Sequence, residues 1–107
     1  MADPRMTERH FQKAVLALLR LYHWRVAHFR PAMKKDGTWV TPVAADGAGF
    51  PDLFAVRPPR ILLAELKVKS PVSKAQAIWI DLLGQCPGVE TFIWHPWDWA
   101  VIETVAK

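Results

Sequence analysis

Two apolar segments separated by an Arg-Pro-Pro-Arg sequence limit the folds open to this chain more than any other feature. The first extends from Asp52 to Val56 and the second from Ile61 to Val68, and both are apolar on both faces. Strands of this kind are covered on both sides by other elements. Because proline cannot adopt the positive φ angles of a tight two-residue hairpin turn, the pattern predicts an antiparallel pair joined by a loop of about four residues.

Further helices and strands are predicted on either side of this pair. Thr7 to Tyr22 has helical apolar spacing with Thr7 as the N-cap, and Ser73 to Leu83 begins with a Ser73–Gln76 capping box and is ended by Gly84. The apolar stripe of the second helix is predicted to be Ala75, Trp79, Leu82 and Leu83. Strands are predicted at His23–Phe29 and Val89–Trp94, and a short helix at Pro96–Val105. This order predicts an α/β fold with a mixed sheet flanked by helices.

The stretch from Arg30 to Phe50 is the least regular part of the chain. Its Asp36-Gly37 pair is a hairpin turn signal, and Lys34 and Lys35 come directly before it. Pro42 and several glycines argue against a long regular element. The stretch therefore predicts a small basic flap.

Length and composition restrict the class of protein. The 107 residues predict a single domain over residues 1–107, with one modest core supplied by a 51% hydrophobic content. No apolar run approaches the about 20 residues of a membrane span, and the charged start MADPRMTERH predicts no secretory signal. Cys86 is the only cysteine, which excludes an intrachain disulfide and favours a reducing, cytoplasmic setting. The formal charge of +4 is compatible with a polyanionic partner, as it is in many ordinary proteins.

Two acidic residues occupy positions that a simple soluble fold would avoid. If the connecting loop is centred between Pro58 and Pro59, Asp52 falls directly opposite Glu65. Directly opposed residues have Cβ atoms about 4.5–5.5 Å apart, and two carboxylates at that distance repel each other unless a proton or a cation lies between them. Lys67 follows Glu65 by two residues, so it is predicted to lie on the same face.

The first predicted helix contributes a third acid. At helical spacing, Glu8 lies in the middle of the stripe defined by Val15 and Leu19, so it should point inward at the N-terminal end of the helix. Three carboxylates and a lysine suit a hard divalent cation such as Mg²⁺ or Mn²⁺, which prefers oxygen ligands. The sequence therefore predicts a metal site, with Lys67 placed to orient or deprotonate a water molecule or to steady a phosphate.

These motifs, taken in order, resemble those of a known nuclease family. Residues 49–53, Gly-Phe-Pro-Asp-Leu, and then Glu65-Leu66-Lys67 look like the signature of the PD-(D/E)XK nuclease superfamily, and the closer resemblance is to its VRR-NUC family. Members are also similar in an acid on an early helix, a Ser-x-x-Gln-x-x-Trp motif and a Trp-x-Pro-x-Asp-Trp-like end. The corresponding residues here are Glu8, Ser73, Gln76, Trp79, Trp94, Pro96, Asp98 and Trp99.

The resemblance implies a restriction-endonuclease-like core of order α-β-β-β-α-β and a metal-dependent DNA endonuclease. The metal would be held by Asp52, Glu65, the Leu66 carbonyl and Glu8. Asp52, Glu65 and Lys67 would be catalytic, with Gln76 as a supporting residue of the site. The stand-alone members that this chain resembles, of bacterial or phage type, are structure-selective nucleases of replication, recombination and repair. They include resolvases of four-way DNA junctions and tend to act as homodimers.

Simpler explanations exist for the single residues. Asp52 can serve as a hydrogen-bond acceptor at a strand end, and Glu65 and Lys67 can form an ion pair. Glu8 can favour the helix dipole, and Gln76 can serve only the capping box. For the function as a whole, the alternatives are a catalytically silent nucleic-acid-binding module with a nuclease fold and a structural subunit that binds no nucleic acid.

Several basic residues are candidates for contacts with nucleic-acid phosphates. Lys34 and Lys35 lie in the predicted flap, and Lys69 shares the face of Lys67 if the strand continues. Arg57 and Arg60 lie in the loop between the two central strands. Each of these side chains is equally well explained as a solvated surface charge.

Overall fold

The computed structural model describes residues 7–29, 32–40 and 43–107, and it has an α/β fold. Its helices are α1 (Glu8–Leu21), α2 (Lys74–Gly84) and α3 (Trp99–Ala106), with a short 3₁₀ helix at Pro96–Asp98. The strands are β1 (Arg25–His28), β2 (Ala32–Met33), β3 (Trp39–Val40), β4 (Leu53–Arg57), β5 (Arg60–Leu66) and β6 (Val89–Trp94). Pro42, which entered the prediction of an irregular flap, lies outside the described residues.

Four of the strands form one mixed sheet in the order β1-β4-β5-β6. The β1–β4 and β4–β5 pairs are antiparallel, and the β5–β6 pair is parallel. The short strands β2 and β3 form a separate two-stranded hairpin around Gly37, whose φ of +88° fits the predicted Asp36-Gly37 turn. The predicted α/β fold with a mixed sheet and helices is confirmed, and β2 and β3 are two short strands that the predicted order did not contain.

The two central strands pair in the predicted register, but the connection between them is shorter than expected. Arg57 pairs with Arg60, so the turn consists only of Pro58 and Pro59, and the prediction of a loop of about four residues is wrong. The peptide bond between the two prolines is cis.

The hydrophobic core lies on one face of this sheet. Helix α1 begins at the N-cap Thr7, whose side chain accepts a hydrogen bond from the backbone N–H of His10 (3.1 Å), and it packs against β1, β5 and α3. The core residues come from α1, the sheet and α3, and each is at most 3% exposed. They are Phe11, Val15, Leu19, Trp24, Leu53, Ala55, Leu62, Ala64, Leu66, Trp94, Ile102 and Ala106.

Helix α2 packs against β6 and contributes no fully buried residue. Its N-terminal capping box is formed as predicted, but Gly84 is the last helical residue rather than the residue after the helix. The predicted apolar stripe is wrong at Leu82, which is 55% exposed, whereas Ile80 is half-buried. In the described part of the chain, no helix is long and apolar enough to cross a membrane.

Candidate active site

Asp52 and Glu65 meet at one end of the β4–β5 pair. The ladder extends to Leu53 and Ala64, so the next residues on the two strands, Asp52 and Glu65, come side by side. Asp52 is held there because its Oδ2 accepts a hydrogen bond from the backbone N–H of Leu66 at 2.8 Å. The strand-end role that sequence reasoning left open for Asp52 is therefore present, together with its proximity to Glu65.

Glu65 is a buried carboxylate with an incomplete set of partners. It is 2% exposed, and its Oε1 accepts a hydrogen bond from Nε2 of Gln76 at 3.1 Å. Its Oε2 is also buried and has no hydrogen-bond partner among the described residues. Burying a carboxylate oxygen without a partner is unfavourable, so this atom is a position at which a proton or a cation would be stabilised.

The surroundings of Glu65 favour its neutral form. Burial, followed by the neighbouring carboxylate of Asp52, raises the pKa of Glu65 from 4.5 to about 9, with a smaller contribution from the charge of Glu8. The positive charge of Lys67 acts in the opposite direction. At neutral pH the pair therefore carries a shared proton or needs a positive ion to replace it.

Gln76 connects Glu65 to the N-terminus of α2. Its Oε1 accepts a hydrogen bond from the backbone N–H of Ser73 at 2.8 Å, and its backbone N–H donates to Oγ of Ser73 at 3.2 Å. The same side chain uses its amide N–H to hold Glu65. Both predicted roles, in the capping box and beside the acid pair, are thus met by one residue.

The loop before β4 closely contacts the N-terminal turn of α2, which carries Gln76. Gly49 has a φ of +83°, and a Cβ at this position would lie 2.6 Å from the backbone carbon of Ala75 and 2.7 Å from the backbone nitrogen of Gln76. Only glycine allows both this φ and this approach. The Gly-x-Pro-Asp stretch therefore sets the distance between the Asp52 loop and the helix that carries Gln76.

Lys67 lies directly after the last residue of β5 and is only 8% exposed. Its backbone N–H donates to the carbonyl of Trp94 at 2.9 Å, which continues the parallel pairing beyond the strand. Among the described residues no ion pair within 4.0 Å joins Lys67 to Glu65, so the simple ion-pair explanation is not met. Lys67 instead brings a nearly buried positive charge to the same cavity as the acid pair.

Glu8 lines this cavity from the first turn of α1. It is exposed, and its charge acts on Glu65. Glu8 thus lies at the cavity as expected, but it is exposed, so the expectation that it points inward is not met. Within the described residues, however, no group of three or more His, Cys, Asp or Glu side chains is close enough to form a ready metal site.

A cavity of about 700 Å³ opens over these residues. Its floor contains Glu8, Asp52, Glu65, Lys67 and Gln76. The other described lining residues are apolar or glycine and lie between β1 and β4, among them Phe29, Val40, Val43 and Phe50, and they form an apolar wall. Sequence reasoning missed this apolar wall. Its only signal in the sequence is the presence of apolar residues in a stretch predicted to be a basic flap.

The basic residues considered as phosphate contacts are placed differently from one another. Lys34 and Lys35 are exposed at the hairpin turn and do not line the cavity. Lys69 is exposed in a bend, so the condition that the strand continues to it is not fulfilled. Arg57 and Arg60 stack on the ring of Trp24, and Arg60 forms an ion pair with Glu90 at 2.7 Å. These two arginines therefore stabilise the fold.

The residues of the site fit a hard divalent cation. Asp52 and Glu65 supply carboxylate oxygens, and the buried Oε2 of Glu65 lacks a partner in the described part of the chain. Oxygen donors of this kind are the ligands that Mg²⁺ and Mn²⁺ prefer. The side chain of Leu66 is in the core, and its N–H is bonded to Asp52, so its backbone lies at the same strand end.

Comparisons with known proteins add no relative to this description. No family model matches the chain, and neither the curated proteins nor the solved structures contain a significant match.

Proposed function

We propose that this chain is a metal-dependent DNA endonuclease of the PD-(D/E)XK type, similar to the VRR-NUC family. The observation that carries the proposal is the convergence of Asp52, Glu65 and Lys67 at one strand end that opens into a cavity. Two carboxylates that repel each other beside a nearly buried lysine lower the stability of the fold. A role in phosphodiester hydrolysis would explain why these residues are present. A restriction-endonuclease-like core agrees with the order of helices and strands.

Each residue has a separate part in the proposed site. Asp52 and Glu65 would hold the cation, with Glu8 and the Leu66 carbonyl as further donors. Gln76 keeps the Glu65 carboxylate in place through its amide N–H. Lys67 orients the attacking water, accepts its proton or steadies the phosphate as negative charge develops on it.

The cation supplies a chemistry that these side chains lack. When bound, Mg²⁺ polarises a phosphoryl oxygen, lowers the pKa of a water ligand and neutralises developing charge. Mn²⁺ is expected to substitute, since it accepts the same oxygen donors.

A cleavage assay on branched and linear DNA tests the proposal. The substrates are a synthetic four-way junction, a flap and a fully paired duplex, each with Mg²⁺, with Mn²⁺ and with EDTA. We expect cation-dependent cleavage that favours the branched substrates.

Glu65→Ala should lower the rate at least about a hundredfold, as for loss of a group that acts in the transition state. Asp81→Asn, on the exposed surface of α2, is the matched control and should cut normally. Absence of cleavage by the wild type with either cation, on all three substrates, would exclude the proposal.

A nucleic-acid-binding module that does not cut is the second candidate. It is favoured by the formal charge of +4 and by the absence, within the described residues, of a cluster of three metal-binding side chains. This candidate predicts DNA binding that falls steeply with salt concentration and is unchanged by Glu65→Ala. Gel shifts of the two proteins at several salt concentrations separate it from the nuclease.

The proposal also includes the oligomeric state and the cellular location of the protein. We expect a homodimer, because a chain of 107 residues has little surface with which to hold a branched substrate. Lys34, Lys35 and Lys69 are exposed and remain proposed phosphate contacts outside the cavity. The single cysteine, Cys86, is free, which agrees with a proposed reducing, cytoplasmic setting.

A further inference from the structure

The cavity over the acid pair has two chemically different sides. The floor carries the carboxylates of Glu8, Asp52 and Glu65 and the ammonium of Lys67. The apolar wall carries no charged side chain among the described residues, and three of its residues are substantially exposed: Phe29 is 41% exposed, Val40 36% and Val43 52%. A bound cation and phosphate would interact with the charged residues of the floor but would leave the apolar wall exposed to solvent. The occupant of the whole cavity therefore combines a phosphate with an apolar or aromatic group.

The apolar wall is held in place by its own contacts. The backbone N–H of Phe29 donates to the carbonyl of Asp52 at 2.9 Å, so this ring begins next to the acid pair. Phe50 packs edge-to-face against Phe29 and Trp79, with ring centroids 5.5 and 5.1 Å apart. The Nε1–H of Trp79 donates to the carbonyl of Asp46 at 3.0 Å and fixes the loop to α2. These contacts hold Phe29 and Phe50 in place without a ligand.

A nucleotide is a ligand with both required chemistries at the required proximity. Its phosphate suits the cation and the lysine of the floor, and the face of its base suits aromatic and aliphatic side chains. The cavity volume of about 700 Å³ lies within the range of about 300–1,000 Å³ that is usual for small-molecule pockets. In a duplex both faces of a base are stacked on neighbouring bases, so only an unpaired nucleotide can offer its base to the wall.

We infer that the cavity binds one unpaired nucleotide of a DNA strand, with its phosphate at the floor and its base against Phe29 and Val43. This inference rests on the proposed function and deepens it, because it names the structural element of the substrate that the site selects. Among the branched substrates, it favours the flap, whose single strand supplies unpaired nucleotides. Phe29 and Val43 thereby become residues that determine specificity, apart from the residues that hold the cation.

Binding measurements with matched single-stranded probes test the inference without relying on cleavage. One probe is a short, fluorescently labelled oligothymidine, and the other has the same length and charge but consists of abasic sugar-phosphate units. Both are titrated with the wild-type protein by fluorescence anisotropy, with Ca²⁺ in place of Mg²⁺ to slow cleavage, and gels check that they stay intact. We expect the oligothymidine to bind about tenfold more tightly, as for one base–aromatic stack. Equal affinity, or no binding of either probe at low salt, would overturn the inference.

Two variants locate the base at the proposed wall. Val43→Ala removes an aliphatic contact with the base and should reduce the difference between the probes. Val101→Ala is the matched control, because Val101 is 56% exposed on α3, and it should bind both probes like the wild type. Phe29→Ala should weaken only the oligothymidine. Should a variant fail to fold in thermal denaturation, the comparison of probes on the wild type alone still decides.

Failure of this inference can be told apart from failure of the proposed nuclease. A protein that cuts junctions but binds both probes equally is a nuclease without a base pocket. A protein that prefers the oligothymidine through Val43 and Phe29 but cuts no substrate has the base pocket and no nuclease activity. The two experiments therefore give independent answers.

Discussion

At the scale of single residues, Glu65 shows how the site differs from an ordinary strand end. Central strands normally carry apolar residues, and a carboxylate on such a strand is normally paired with a cation. Here one oxygen is held by Gln76, the other is buried without a partner in the described part of the chain, and Asp52 is adjacent. The fold accommodates this arrangement because the large core on the other face of the sheet supplies the stability that the acid pair removes.

Gly49 is the residue whose replacement should disturb this arrangement most directly without removing a functional group. Gly49→Ala places a methyl group 2.6–2.7 Å from Ala75 and Gln76, at a φ of +83°. We expect a loss of about 2–4 kcal/mol in the free energy of unfolding, from the left-handed backbone together with overpacking. Urea denaturation followed by circular dichroism measures this loss.

Gly88→Ala separates the two causes. Gly88 has a similar φ of +79°, but a Cβ there would meet nothing within 4 Å. It should therefore lose only the backbone contribution of about 1–2 kcal/mol. Equal losses for the two variants would show that the approach of the Gly49 loop to α2 is not tight.

At the scale of helices and strands, the β4–β5 pair is the part that the sequence predicted best. Two apolar runs that must pair across two prolines leave one centre of symmetry, and this centre places Asp52 beside Glu65. The length of the turn was not predictable in the same way, because a centre between Pro58 and Pro59 fits a two-residue turn as well as a four-residue loop. The register depends only on the centre of the turn, so it was predicted correctly although the predicted loop length was wrong.

Other parts of the site depend on contacts that periodicity does not encode. The ring of Phe50 contacts both Phe29 and Trp79, which lie 50 positions apart in the sequence. The face of α2 is set by packing on β6, which leaves Leu82 exposed. The sequence therefore predicted the acids, which lie on neighbouring strands, but not the wall of the cavity, which depends on loops meeting a helix.

Arg57, at the β4–β5 turn, connects several helices and strands of the fold. Arg57 donates to the carbonyls of Tyr22, Ala106 and Lys107 and thereby links the ends of α1 and α3 to the sheet. Arg57→Lys keeps the charge but cannot reach three carbonyls with one planar fork. We expect a loss of about 1.5–3 kcal/mol in stability by urea denaturation.

Arg20→Lys is the control for this change, since Arg20 is exposed in the last turn of α1. It should change stability by no more than about 0.5 kcal/mol. Neither variant touches the cavity, so DNA binding should be unaffected in both. If Arg57→Lys were as stable as the wild type, the carbonyl contacts of Arg57 would not contribute to the fold.

At the scale of the whole molecule, stability and proposed chemistry occupy opposite faces of one sheet. The face of β4 and β5 that carries Leu53, Ala55 and Leu62 is fully buried under α1 and α3. The other face carries Asp52 and Glu65 and meets the N-terminus of α2 and the cavity wall. Because the core is complete without the site, substitutions in the cavity can be tested in a folded protein.

The acid pair couples the stability of the whole molecule to pH and to cations. Without divalent cations, the free energy of unfolding should fall as the pH rises from 4.5 to about 9. In this window folded Glu65 keeps a proton that the unfolded chain has already released, so raising the pH favours the unfolded state. The contribution is fully present below the lower limit and is lost above the upper one. Mg²⁺ should stabilise the protein most at the upper end, where it replaces the proton between Asp52 and Glu65.

Thermal denaturation at a series of pH values, with and without Mg²⁺, measures this coupling. Glu65→Gln has no proton to release at this position, so its unfolding temperature should depend less on pH within the window and should not respond to Mg²⁺. The control Asp81→Asn, far from the cavity lining, should follow the wild type in both respects. A wild type and a Glu65→Gln variant with parallel pH profiles would show that Glu65 does not hold the proton. If Mg²⁺ stabilised both equally, the cation would bind elsewhere, and the proposed metal site would have to be abandoned while the fold stood unchanged.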